Sequence, residues 1–206
     1  MKEILIQPCY FSDILSYACI AQSEKIILET CDNYQKQTYR NRCIIGTANG
    51  TLSLTIPVKH VGGDGHKKTA EALIENNFAW QKEHWRSIQI AYRTSPFFEF
   101  YEDDIRFLYE DKFENLLHFN KETLRVVLDI LQAEKEIEYT QSYVLEPVVR
   151  DRRYLAIAKR KRTVDLPAYN QVFEEKNGFI PHLSVLDLTF NLGPAALQYL
   201  ENVDLG

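Results

Sequence analysis

Two short apolar runs, separated by a helix-length segment, constrain this chain more than any other feature of it. Residues 3–7 form the first run, which ends at Pro8, a residue that cannot continue a central strand. Residues 25–29 form the second. Between them, Ser12 or Asp13 is placed to cap a helix reaching about Ala21, with Ile14, Ala18 and Ala21, or Ile14, Tyr17 and Ala21, on one face. Parallel strands need a crossover of about this length, so the pattern predicts a βαβ unit.

Residues 42–45 and 51–58 then read as a hairpin across Asn49-Gly50, a strong turn signal, with Leu52 to Ile56 alternating as a half-buried strand does. The loop at 61–68 carries Gly62, Gly63 and Gly65; it reads as a surface loop, since its spacing matches neither known phosphate-cradling fingerprint. From residue 79 the pattern turns helical. Residues 79–93 carry Trp80, His84, Ile88 and Ala91 at helical spacing and stop before Pro96. The aromatic run Phe97, Phe98, Phe100 and Tyr101 reads as a strand or as core filler, and helices at 103–117 and 121–133 follow it. An edge strand is expected at 138–144, and closing helices at Ser184, in a capping-box-like pattern with Asp187, and at Pro194. The expectation is an α/β fold, with a small parallel or mixed sheet opened by a βαβ unit and a hairpin, followed by a mainly helical half.

Charge narrows the partners. The chain carries 24 basic and 29 acidic residues, a net −5, whereas nucleic-acid binding usually shows a basic domain. Residues 150–162 nevertheless hold seven cations against Asp151 alone, a local +6 that leaves −11 on the rest. This stretch alternates around Leu155 and Ile157 and fits either a solvated edge strand, the preferred reading, or a grip on a phosphate-rich ligand. No apolar run approaches the roughly 20 residues of a membrane span, and the first run is too short for a secretory leader. Cys9, Cys19, Cys31 and Cys43 form no C-x-x-C pair and read as reduced thiols of a cytoplasmic protein.

Polar residues gather in three places. Gln7, Cys9 and Tyr10 follow the first strand, and residues 32–42, without one aliphatic side chain, follow the second. Both therefore open on the carboxyl edge of the sheet, where α/β folds bind ligands. Arg40 and Arg42 alternate, so only one faces that crevice; an arginine fork there suits phosphate or carboxylate. The third group holds Tyr169, Asn170 and Gln171, then Asp187 and Asn191 on one helix face. An Asp among Leu186, Leu188 and Phe190 needs a charged or multi-donor partner, and the arginines of the second group are candidates. The acids Glu99, Glu102, Asp103 and Asp104 read as a solvated helix start rather than a cation site.

Together these pieces resemble the WbqC-like family. The similarity rests on Gln7-Pro8-x-Tyr10, the run from Tyr34 to Arg42, Leu52 through Val58, Tyr169 through Phe173, and the ending from Gly178-Phe179-x-Pro181 through Ser184, Asp187 and Phe190-Asn191 to Gly193-Pro194. The resemblance implies a bacterial cytoplasmic protein connected with surface-polysaccharide (O-antigen) or glycan assembly. It also implies a single domain over 1–206, with an α/β part over about 1–65 and a mainly helical part over about 66–206. Ser12 stands where common members have Pro, and Glu29, Thr30 and Cys31 where they carry acids, so no metal site is expected.

With the three groups converging, the expected activity is a transferase acting on a nucleotide-activated sugar or a similar small anionic substrate, without a cofactor. Arg40 or Arg42 neutralises phosphate, while Gln7, Tyr34, Lys36, Asn41, Gln171 and Asn191 complete the binding. Asp187 serves as base or orienter, and Tyr10 and Tyr169 position the acceptor. Nucleotidyl transfer is disfavoured because its usual histidine motif is absent. The non-enzymatic alternative is a binding or scaffold protein using the aromatic run at 97–101, and the oligomeric state is left open.

Overall fold

The computed structural model describes residues 2–59 and 67–206; the glycines of the 61–68 loop lie outside the described residues. The opening folds as its pattern demands. Strand β1 (Glu3–Ile6), helix α1 (Ile14–Ala21) and strand β2 (Lys25–Leu28) form a βαβ unit, paired in parallel from Glu3↔Lys25 to Ile6↔Leu28. Asp13 starts α1 by accepting the Ser16 N–H, and all eight residues of the helix are buried. The hairpin β3 (Arg42–Thr47) and β4 (Gly50–Thr55) is antiparallel and forms a separate two-stranded sheet. Its Cys43, Ile45 and Leu54 enter the main core, while Ile44, of opposite parity, packs with Cys9, Tyr39 and Ala156.

Three helices follow: α2 (Trp80–Tyr92), α3 (Phe98–Glu110) and α4 (Leu116–Leu131). The aromatic run is thus not a strand; it opens α3, which Pro96 precedes, and Phe98 alone of its members fills the core as the other reading expects. Helical spacing separates its members: Phe98 is buried against Phe190 at a centroid distance of 5.1 Å, while Phe100 faces solvent. The break before α4 falls at 111–115, earlier than the sequence suggests, because Asn115 accepts the His118 N–H and caps the helix there.

Strand β5 (Glu136–Tyr139) pairs in parallel with β2, and the two-residue β6 (Arg150–Asp151) with β1, which gives the order β5-β2-β1-β6. The rest of the basic stretch is not an edge strand. A 3₁₀ turn over Arg153–Ala156 follows β6 at once. The reason is that its arginines turn inward: Arg153 pairs with Glu29 and Asp151, and Arg162 with Asp13. Ile4, Ile6, Ile26 and Leu28 face the core that α1 covers. Leu5 and Ile27 face the other way, where Arg153 fastens the 140–149 segment by donating to the carbonyls of Val144 and Leu145.

The chain closes with α5 (Glu174–Asn177), α6 (Val185–Leu192) and α7 (Ala196–Glu201). Ser184 caps α6, but Asp187 does not complete a capping box; its carboxylate turns into the core. The starts of α1 and α6 interlock. Asp13 and Ser184 form an antiparallel bridge, Ile14 N–H donates to Leu183 O, and Val185 N–H donates to Ser12 O. Just before these caps, Phe11 and His182 adopt left-handed backbone, φ 38° and 58°. Among the described residues no helix is long and apolar enough to cross a membrane.

Gly193 ends α6 at φ +53°, and a Cβ there would lie 2.5 Å from the Phe97 ring. Gly193→Ala therefore combines a left-handed penalty with overpacking, about 3 kcal/mol in total, and is expected to lower the melting temperature by about 6–12 °C. Gly50→Ala, with φ +97° but nothing within 4 Å, should cost far less in the same thermal melt.

Candidate functional site

The ends of β1 and β2 meet at one carboxylate. Asp32 accepts Gln7 Nε2 at 2.9 Å, pairs with Arg40 Nη2 at 2.5 Å, and accepts the Thr69 hydroxyl on its other oxygen. All four side chains are buried. Two of their polar atoms, Arg40 Nε and Gln7 Oε1, are buried without a hydrogen-bond partner. Asn120 on α4 pins the surrounding turns by donating to the carbonyls of Pro8 and Arg40.

A second buried carboxylate directly follows β2. Glu29, fully buried, accepts the Cys31 N–H and the Thr140 hydroxyl and pairs with Arg153 at 3.1 Å. Cys31 Sγ donates to Thr140 O at 3.3 Å. A cavity of about 180 Å³ opens here, lined by Cys31, Asp32, Asn33, Gln35, Lys68 and Tyr143. The Lys68 ammonium donates to Cys31 O at its rim, and the Arg153 guanidinium lies 4.9 Å from the Tyr143 ring centroid. The cavity lies beyond the carboxyl end of β2, at the edge where α/β sheets take ligands.

The third polar group is complete in itself. Asp187 is 2% exposed, and its partners are neutral: Tyr169 donates at 2.6 Å, Tyr92 at 3.1 Å and Gln171 at 3.1 Å, while Asn191 donates to its carbonyl at 2.8 Å. Among the described residues no arginine pairs with it, contrary to the pairing expected from sequence, because Arg40 is committed to Asp32. Desolvation raises the Asp187 carboxyl above the usual range, against the pull of these donors. Burial and the neighbouring carboxylate push the Tyr92 and Tyr169 hydroxyls upward. A Cβ on Gly46, near the end of β3, would lie 3.4 Å from Asp187 Oδ2, whereas Arg40 precedes the start of that strand. The five strand residues from Arg42 to Gly46 span about 13 Å. The first two groups therefore meet, and the third stands apart, beside a groove of about 480 Å³ that Tyr169, Gln171 and Asn191 help to line.

The remaining residues singled out from sequence sit as follows. Tyr10 is fully buried, its hydroxyl shared with His84 Nδ1 at 3.0 Å and Tyr109 at 2.8 Å. Asn41 donates to Ile56 O and ties the loop to the hairpin. Arg42 lies in β3 with its Nε buried and unpartnered, Tyr34 is partly buried, and Lys36 is exposed. Sequence reasoning placed Asp32 in the polar 32–42 run, Glu29 at the end of the second strand, Lys68 in the glycine loop and Arg153 in the basic stretch, but gave none of them, nor Thr69, a role in the site. The available signal was a pair of acids, Glu29 and Asp32, just beyond the apolar run of β2, in a chain whose cations gather at 150–162. Among the described residues no group of three or more His, Cys, Asp or Glu side chains is placed to hold a metal ion.

Arg40→Ala leaves the Asp32 carboxylate buried and uncompensated, which costs about 3–5 kcal/mol and is expected to lower the melting temperature by roughly 10 °C. Acid should act through His84, whose burial pushes its pKa from 6.5 down to about 4. The unfolded chain then takes the proton first as pH falls, so stability drains away between pH 6.5 and 4, by at most about 3 kcal/mol. In His84→Gln, melting temperatures measured across that range should fall less steeply than in the parent chain.

Comparison with known proteins places the chain. The family model described as "WbqC-like protein family" matches residues 7–163. The chain is 27% identical over 228 aligned positions to the uncharacterized protein Rv1507c of Mycobacterium tuberculosis, an alignment covering 97% of this chain and 98% of that relative. No solved structure matches it.

Proposed function

The chain belongs to the WbqC-like family, and from that premise we propose that it is a transferase of surface-polysaccharide or other glycan assembly. Its donor, a nucleotide-activated sugar or a similar anionic small molecule, is held at the carboxyl edge of the four-stranded sheet. One observation carries this reading. Asp32, which lines the cavity, is bonded to two side chains that each keep a buried polar atom without a partner: the donor Arg40 Nε and the acceptor Gln7 Oε1. A buried polar group left unpaired costs about 1–3 kcal/mol. Gln7 and Arg40 do not themselves line the cavity, so in this reading a polar ligand carrying both an anionic oxygen and a hydroxyl or N–H enters past Asp32 to pair the two atoms.

Lys68 adds an exposed cation at the rim, suited to drawing in a phosphate as a point charge. The Gln35 and Asn33 amides on the same wall offer neutral hydrogen bonds to the rest of the molecule. In this reading Asp187, Tyr169 and Tyr10 serve the fold. Asp187 ties α2 and α6 to the 169–171 segment, and Tyr10 ties α2 and α3 to the first turn.

A thermal-shift panel of nucleotide sugars, sugar phosphates and free nucleotides tests the proposal. A ligand at a hundred times its dissociation constant adds about 2.7 kcal/mol, a shift of roughly 5–10 °C for a chain of this size. Lys68→Ala should abolish that shift while leaving the unliganded melting temperature unchanged, because Lys68 is exposed. A panel without any shift overturns the donor reading and turns attention to a binding or scaffold protein.

A further inference from the structure

We infer that residues 143–161 form a docking surface for an anionic membrane. The inference does not depend on the transferase reading. The segment joins two features that a chain exposed only to water has no use for side by side. Leu145 is 75% exposed and Val148 is fully exposed, with Tyr143 and Val144 about half so. Directly after them come Arg150, Lys159, Arg160 and Lys161, all exposed; the last three enter no ion pair among the described residues.

The inward-turned arginines of the basic stretch make this surface firm. Arg153 holds the backbone carbonyls of Val144 and Leu145, so the side chains of this segment project outward from a fixed frame. Arg153 and Arg162 are themselves neutralised by Glu29, Asp151 and Asp13. The cations left over are the ones at the surface. Arg160 stacks over the Tyr154 ring at 4.2 Å, and Arg152 donates to the Tyr154 hydroxyl, which keeps both next to β6.

Charge complementarity selects the occupant. Outside 150–162 the chain carries a net −11 and is repelled by an anionic surface, so this segment, whose four exposed cations outnumber its exposed Glu146, is the part suited to face one. Aliphatic side chains at the tip favour a lipid boundary over a nucleic acid, whose bases are held mainly by aromatic stacking. Tyr143 also lines the 180 Å³ cavity, so docking brings the mouth of that cavity to the lipid surface.

The test is co-sedimentation of the full chain with vesicles of phosphatidylcholine alone and of phosphatidylcholine containing one-third phosphatidylglycerol. Binding is expected to the second only and to weaken at high salt. Charge reversal of Lys159, Arg160 and Lys161 should weaken it by about fivefold or more for each cation. Leu145→Asp with Val148→Asp, both at solvent-facing positions and checked for an unchanged melting temperature, should weaken it at least tenfold. Failure to sediment with anionic vesicles overturns the inference, as does sedimentation that the Leu145 and Val148 substitutions leave unaltered. A dimer in vesicle-free solution that the same substitutions dissolve assigns the surface to a second copy of the chain and overturns it too.

Discussion

The buried Asp32 carboxylate is the point to which the sheet edge is tied. It draws Gln7 from the end of β1, Arg40 from the turn before β3, and Thr69 from beyond the hairpin, and these segments have no backbone ladder in common. A buried ion pair is a poor source of stability, since removing two charges from water costs about as much as their attraction returns. An apolar cluster of the same volume would hold the turns equally well. The choice of a carboxylate and a guanidinium, with polar atoms to spare, marks the place where local consistency yields to another requirement.

The structure contains two kinds of buried acid, distinguished by the partners they face. Glu29 and Asp32 face arginines, whereas Asp187 faces two tyrosines, a glutamine and an asparagine. Neutral donors do not repay the full cost of desolvation, so the Asp187 carboxyl holds its proton more tightly in the folded chain than in the unfolded one. Acidification through its raised pKa therefore favours the fold at this site, opposite in sign to the effect at His84.

How much of this could be read from the residues depended on the range of the forces involved. The βαβ opening was legible because its apolar spacing alone separates strand from helix. The meeting of Gln7 with the 32–42 turn followed from it, since parallel strands place both carboxyl ends on one edge. The aromatic run was ambiguous because Phe98 and Phe100 differ only in what lies across from them, and Phe190 is 92 residues away from Phe98 in sequence. The basic stretch misled for the same reason. Its alternation is real, but Glu29 and Asp13, more than a hundred residues earlier, turn Arg153 and Arg162 inward and stop the strand after two residues. The separation of Asp187 from Arg40 depends on which end of β3 each one meets, and no local pattern encodes that.

The interlocked starts of α1 and α6 bear on how the chain is made. The first-synthesised of the described strands, β1, lies at the centre of its sheet, and one of its two neighbours arrives only with Arg150. The backbone partner of Asp13 arrives later still, with Ser184. Pairings of such sequence separation close slowly, because the loop entropy is lost before the contacts form. During translation the faces of α1 that meet α6 and α7 must therefore wait, uncovered, until nearly the whole chain has left the ribosome. That interval is when association with other nascent chains competes with folding, and it makes the last quarter of the sequence the gate through which the first quarter reaches its native form.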